Sequence, residues 1–307
     1  MRSSTARALL ALVLLAVALE AVPAEQQTTV LQPLTLTATF NLEPGDAVAP
    51  HLYDLYFDGV DDHVVIPLTV YGWQGITVIE RLYPFHPKAN VGWTMFSMIG
   101  DPWADYPSVF WAADNRYDYT ALSLQFTTRK PDGAIRYYGF SIFEYRNMWV
   151  NVAYRFSTSD RVLAGYINGV RVYTASIPST EITVLEWNPD TATYPWMYRR
   201  FVIGANVYGG ENMRMMQFQL LIYSRALSDS EIAWNYWNPD NPVRNGLIVW
   251  LQADPQYIMD IDGDGVLEWL DLSGFGNHGK IYGARLVELI KTPARTRTAI
   301  RAMPVAR

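Results

Sequence analysis

The stretch "DIDGDGVLEWLD", residues 260–271, gathers carboxylates at a spacing that suits a hard cation. Aligned on a twelve-position calcium loop, Asp260, Asp262 and Asp264 fall at positions 1, 3 and 5. Gly265 falls at the sharp turn, Val266 where a backbone carbonyl ligates, Glu268 at position 9 and Asp271 at position 12. The donors are all oxygen and no basic residue lies between them, so without a cation they repel one another. The expectation is a structural Ca2+ that rigidifies the loop; the alternative is an acidic, glycine-rich turn left in water.

Other chemistry is hard to find. A glycosidase needs two carboxylates facing one sugar, which on a strand means positions i and i+2. No such Glu-x-Asp-x-Glu pattern occurs, and Glu268 and Asp271 are better spent on metal. There is no Gly-x-Ser-x-Gly, no His-Glu-x-x-His, no phosphate loop and no cysteine nucleophile. His51, His63, His86 and His278 are scattered and read as surface or turn residues. What remains is aromatic. "DPWADYPSVFWAADNRYDY" (101–119) and "EWNPDTATYPWMYRR" (186–200) read as long, Pro-containing loops rich in Trp and Tyr. Rings in such loops stack on sugar faces or anchor a protein partner, and Trp103, Tyr106, Trp111, Tyr194 and Trp196 are the candidates. The competing reading is that they plug the ends of a large core.

The elements that would carry these residues are mostly strands. "LTLTATFNL" (34–42) alternates strictly and reads as a half-buried strand. From there to residue 225 the pattern is short β-rich runs broken by turn residues, among them "HVVIPL", "ITVIERLY", "ALSLQFTT", "WVNVAYRF", "VLAGYI", "RFVIGAN" and "MQFQLLIYS". Strands at this spacing indicate an antiparallel sandwich. Asn168-Gly169 suits a tight hairpin, because both residues tolerate positive φ. One helix is expected, capped by Ser228, with Asp229 and Glu231 in its first turn and Pro239 as its stop. "WNPDNPVRNG" (237–246) reads as a linker before a buried-type strand, "LIVWL".

Several of these segments resemble one family. "LYFDGVDDHVVIP" is similar to the early hairpin of laminin-G-like, concanavalin A-like jelly rolls, and "WVNVAYRFSTSDRVLAGYINGVRVYTASI" to their central hairpin. "RFVIGAN" followed by "LLIYSRALSDSEI" resembles their closing strand and short helix. "GLIVWLQAD" with "LDLSGFGNHGKIYGA" resembles the phrase that opens such domains, although here it comes last. The resemblance implies an all-β, two-sheet antiparallel jelly-roll sandwich. It says little of function, because this fold hosts lectins, adhesion modules, hydrolases and structural domains. An acidic pair that often precedes the closing strand's end is replaced by Phe218 and Gln219. The acidic loop, ending in Asp, looks like those of dockerin-type and thrombospondin-type repeats. The misplaced opening phrase is either a permuted strand that docks on the sandwich or the remnant of a truncated repeat; the strand at 34–42 competes for the same edge.

Composition sets the remaining bounds. Arg2 and Arg7, the apolar run from Ala8 to Leu19 and Val22-Pro23-Ala24 read as an export signal over residues 1–24. The expected organisation continues with an N-terminal strand and linker (25–50), the jelly roll (51–240), a C-terminal strand with the acidic loop (241–290) and a basic tail (291–307) that reads as a solvated, disordered end. The net charge of −6 argues against a nucleic-acid partner. With no cysteine, an exported chain must be held by its core, by metal or by assembly. The expectation is a non-catalytic binding module, secreted or at the cell surface, that recognises a glycan or an extracellular protein. The alternative is a structural subunit of a surface layer, filament or particle that self-assembles through strand edges; a glycoside hydrolase is a distant third.

Overall fold

The computed structural model describes residues 34–40, 51–85, 93–101, 106–114, 121–291 and 298–302. The expected export signal and Trp103 and His86 lie outside the described residues. In chain order the strands are β1 (Leu34–Phe40), β2 (Tyr53–Asp58), β3 (His63–Pro67), β4 (Gly75–Pro84), β5 (Trp93–Gly100), β6 (Ser108–Asp114), β7 (Ala121–Arg129), β8 (Ile135–Ser141), β9 (Val150–Ser157), β10 (Val162–Ile167), β11 (Val170–Ser176), β12 (Arg200–Ile203) and β13 (Arg214–Tyr223). Helix α1 (Asp229–Trp237) follows, then β14 (Leu247–Gln252), β15 (Ile258–Met259), β16 (Glu268–Trp269), β17 (Gly279–Tyr282), β18 (Arg285–Lys291) and β19 (Thr298–Ala302).

They form a jelly-roll sandwich of two antiparallel sheets. The first runs β1-β19-β18-β2-β13-β4-β9-β10-β11, with β14 added on β13; the second runs β15-β16-β17-β3-β12-β5-β6-β7-β8. Local chemistry explains the joints. Asn168 and Gly169 turn β10 into β11 with φ of 49° and 79°, the pair of positive values that a tight hairpin requires. Ser228 caps α1 in a reciprocal capping box with Glu231. The core between the sheets takes alternate residues of facing strands, including Leu55, Phe57, Val64, Ile66, Phe96, Leu124, Phe126, Phe156 and Leu220, all fully buried. A smaller cluster, with Ile79, Ala153, Leu221 and Tyr223 around Ile232 of α1, covers the outer face of the first sheet.

The C-terminal segment is woven into both sheets. Strand β13 changes partner along one edge: Arg214 to Gln217 pair with β2, and Gln219 to Tyr223 pair with β14. The changeover falls at Phe218, whose carbonyl accepts from Ala253 N at 2.8 Å. "LIVWL" is thus a strand of the main sheet, and β1 does not compete for that edge, because it pairs with β19. The basic tail departs from expectation. Thr298–Ala302 is a strand between β18 and β1, so its backbone groups are paired on both sides instead of solvated.

Titratable groups are buried where the sequence suggested none, Glu80 and the His51–Asp54 pair among them. Glu80, on β4, is fully buried; Ser97 Oγ donates to it at 2.6 Å, and burial pushes its carboxyl up to about 8. His51 is not a surface histidine: it stacks on Phe218 with ring centroids 4.1 Å apart and sits 3.1 Å from the buried Asp54.

Candidate functional site

A groove of about 630 Å³ opens on the outer face of the second sheet. Its floor comes from three adjacent strands. On β3, Val64 and Ile66 point into the core and Val65 and Pro67 outward. On β17, Ile281 is buried while Lys280 and Tyr282 reach the groove. Arg200 enters from β12, whose backbone pairs with β3. One wall is the turn Pro195–Tyr198, in which Met197 and Tyr198 are buried anchors and Trp196 is left 38% exposed. The other wall is the acidic segment, with Ile261, Asp262 and Glu268. Two of the three stretches singled out in the sequence for chemistry, 186–200 and 260–271, therefore face each other across one groove.

The aromatic wall is layered. Trp196 lies edge-on to Tyr208 at 5.6 Å and 6.4 Å from Tyr194, and both tyrosines are exposed. Tyr282 stacks on His63 at 4.8 Å. The Arg200 guanidinium lies over the Trp196 ring, 4.0 Å from its centroid. Burial lowers the Arg200 pKa from its ordinary value, with Tyr282 opposing the change. Two of the expected ligand residues have other duties. Tyr106 is half-buried behind the wall, tilted on Trp187 at 4.9 Å and sharing a hydrogen bond with Thr193 at 3.1 Å. Trp111 is a correction: it belongs to β6 and is 1% exposed, stacked on Phe96, so its ring has no face for a ligand. The Pro- and Tyr-rich flanks of 101–119 conceal a strand.

The acidic loop is wrapped on itself. Asp260 accepts from Gly263 N at 2.7 Å and Gly265 N at 3.0 Å, and Asp264 accepts from Val266 N at 2.8 Å. Gly265, at the expected sharp turn, has φ of 84°. Oxygens of Asp260, Asp262 and Glu268 lie within 4.8 Å of one another, a donor set that suits a hard cation. A cation from the protein already stands beside them. Lys280 Nζ is 3.1 Å from Asp262, 2.6 Å from Asp264 and 3.7 Å from Glu268. Hydrogen bonds to Asp264 and Asp262 raise the pKa of this lysine, and the same bond with Lys280 leads in lowering that of Asp264.

Asp271 is the second correction. It is buried away from the cluster and accepts from Trp250 N at 2.9 Å, Ser273 N at 2.9 Å, Ser273 Oγ at 2.7 Å and Asn277 N at 3.0 Å. Asn277 Nδ2 also donates to the Ile248 carbonyl at 3.0 Å. The polar residues of "DLSGFGN" thus clamp β14 onto the fold. Sequence reasoning missed Arg200, Tyr208, Lys280 and Tyr282. Lys280 and Tyr282 carried one usable signal, their outward positions in the alternation of "GKIY".

No protein-family model matches the chain, and no curated protein matches it either. Solved structures do. A Bacteroides ovatus ATCC 8483 protein inferred to bind carbohydrate aligns at TM-score 0.54 and 14% identity over 79% of this chain and 61% of that one. This chain therefore spans less than two thirds of that neighbour's length. A heptameric SAP-like pentraxin from Limulus polyphemus aligns at TM-score 0.39 and 16% identity over 62% of this chain and 84% of that one. The binding domain of botulinum neurotoxin serotype D aligns at TM-score 0.41 and 12% identity over 88% and 74%. The likeness to the Bacteroides protein is one of fold, the jelly-roll sandwich.

Proposed function

We propose that the chain is an exported, non-catalytic module that binds a glycan in the groove between Trp196 and the acidic loop. The observation that carries this reading is Trp196 itself: a large ring left exposed by a turn that buries Met197 and Tyr198, at the wall of an open groove. Exposed rings stack on the apolar faces of sugars, and flanking charged groups fix orientation through hydrogen bonds. The fold neighbour inferred to bind carbohydrate is in keeping with it. A hydrolytic role is disfavoured by how the groove's carboxylates are engaged: Asp262 takes Lys280, and Glu268 accepts from Ile261 N at 2.8 Å. A glycan array on the exported protein tests the reading. Saturable binding is expected, and Trp196→Ala should abolish it while leaving the melting temperature within a few degrees. An array with no saturable binder, or hydrolysis of the bound sugar, would sink it.

Residues 1–24, which read as an export signal, support secretion or display at the cell surface, and the N-terminal sequence of the exported protein tests it directly. The acidic loop takes a structural Ca2+ in this proposal, through Asp260, Asp262 and Glu268. A second reading, a self-assembling surface subunit, is favoured by one observation. Strand β11 ends its sheet with Val170 and Val172 largely exposed, which is an open edge for another strand. Sedimentation of the purified protein decides it: a monomer at every concentration removes this reading.

A further inference from the structure

Arg200 differs from the other cations of the groove in having no acid to answer it. Arg199 pairs with Asp190, and Lys280 is held by Asp262 and Asp264. Arg200 makes no ion pair among the described residues, and its Nε is buried without a hydrogen-bond partner. Its position is nevertheless fixed. Its backbone pairs with Pro67 in the sheet, and its guanidinium plane is held over Trp196. A partly desolvated cation without a counter-charge is unfavourable, and a ligand anion would relieve it. The planar guanidinium offers paired donors that match a carboxylate or a sulfate. Across the groove, Lys280 is already committed to Asp262, Asp264 and Glu268, so the cation left to answer a ligand's charge is Arg200.

We propose that the groove selects acidic saccharides, whose carboxylate or sulfate pairs with Arg200 while a neighbouring sugar face lies against Trp196. The proposal rests on the glycan-binding reading and makes Arg200 its specificity-determining residue. The test uses matched probes on the full exported chain: oligogalacturonate against its methyl ester, sialyllactose against lactose, and sulfated against unsulfated N-acetyllactosamine. In at least one pair the acidic member should bind about tenfold or more tightly than its partner. The sulfated pair set against the two carboxylate pairs says which anion is preferred. Arg200→Gln should bring that ratio to within about twofold, and Arg200→Lys, which keeps the charge but not the fork, should restore it only in part. For the wild type, raising salt from about 50 to about 500 mM should weaken the acidic probe and spare the neutral one, a readout that does not depend on any variant folding. If neutral and acidic members bind equally and Trp196→Ala abolishes both, the selectivity is refuted and the glycan reading stands. If no probe and no array sugar binds, both fall together.

Discussion

Glu80 makes a statement about pH that no surface residue could. An unfolded glutamate ionises near 4.5, while burial holds this one's carboxyl up to about 8. Between those values the folded chain keeps a proton that the unfolded chain gives up. Its contribution to stability is complete below about pH 4.5 and is lost as pH rises toward 8. Melting temperature should therefore fall between about pH 5 and about pH 8, and Glu80→Gln, always neutral, should flatten that fall. Parallel profiles for the two proteins would show that Glu80 is not the cause. Single residues were unevenly legible. Trp196 stood out because a Pro-punctuated, aromatic loop is unusual in itself, and its ring is exposed at the groove. Trp111 was misplaced because the same composition hid a strand, where alternation and not aromatic content decides what is buried. Glu80 gave no local signal at all, and Arg200 gave only its place at the end of the aromatic stretch, since their environment is made by strands distant in sequence.

Among the elements, the acidic loop shows how far spacing can be trusted. Spacing placed the turn at Gly265, whose φ is positive, because Asp side chains and glycine fold that turn locally. Of the expected ligands in 260–268 the fold gathers Asp260, Asp262 and Glu268, while Asp264 takes Lys280. Asp271 had the right spacing and the wrong direction, because β16 turns the chain before it and hands it to β14. Nor could spacing show Lys280, which arrives by the pairing of β16 with β17. This lysine sharpens the calcium question. An entering ion must displace it, so Ca2+ should bind the native loop weakly, and Lys280→Met should raise the affinity by about tenfold or more. Titration calorimetry and melting curves with Ca2+ and with chelator measure both proteins. At a hundredfold excess over Kd, bound Ca2+ should stabilise by about 2.7 kcal/mol. No heat and no melting shift in either protein would leave the loop as a turn neutralised by lysine.

At the scale of the molecule, the order of segments was the puzzle, and the sheets resolve it. Fold class was readable from strand spacing and hairpin chemistry, which are local. The partners of each strand were not, because one edge of β13 serves an early strand and a late one in succession. Residues 247–291 supply β14 and β18 to one sheet and β15, β16 and β17 to the other, so they cannot come away as a unit without opening both. Calorimetry should accordingly show a single unfolding transition; a separate, earlier one removed by truncation after residue 245 would contradict this. The same weaving has a consequence for how the protein is made. Trp196 and Arg200 leave the ribosome well before Lys280 and Tyr282, and the groove has only one wall until that last stretch has been synthesised and paired. A chain that stalls, or is clipped behind α1, carries its aromatic wall but no groove. On the glycan-binding proposal, ligand retention is then expected only of chains that carry residues 260–282, and an affinity column should separate these from shorter fragments.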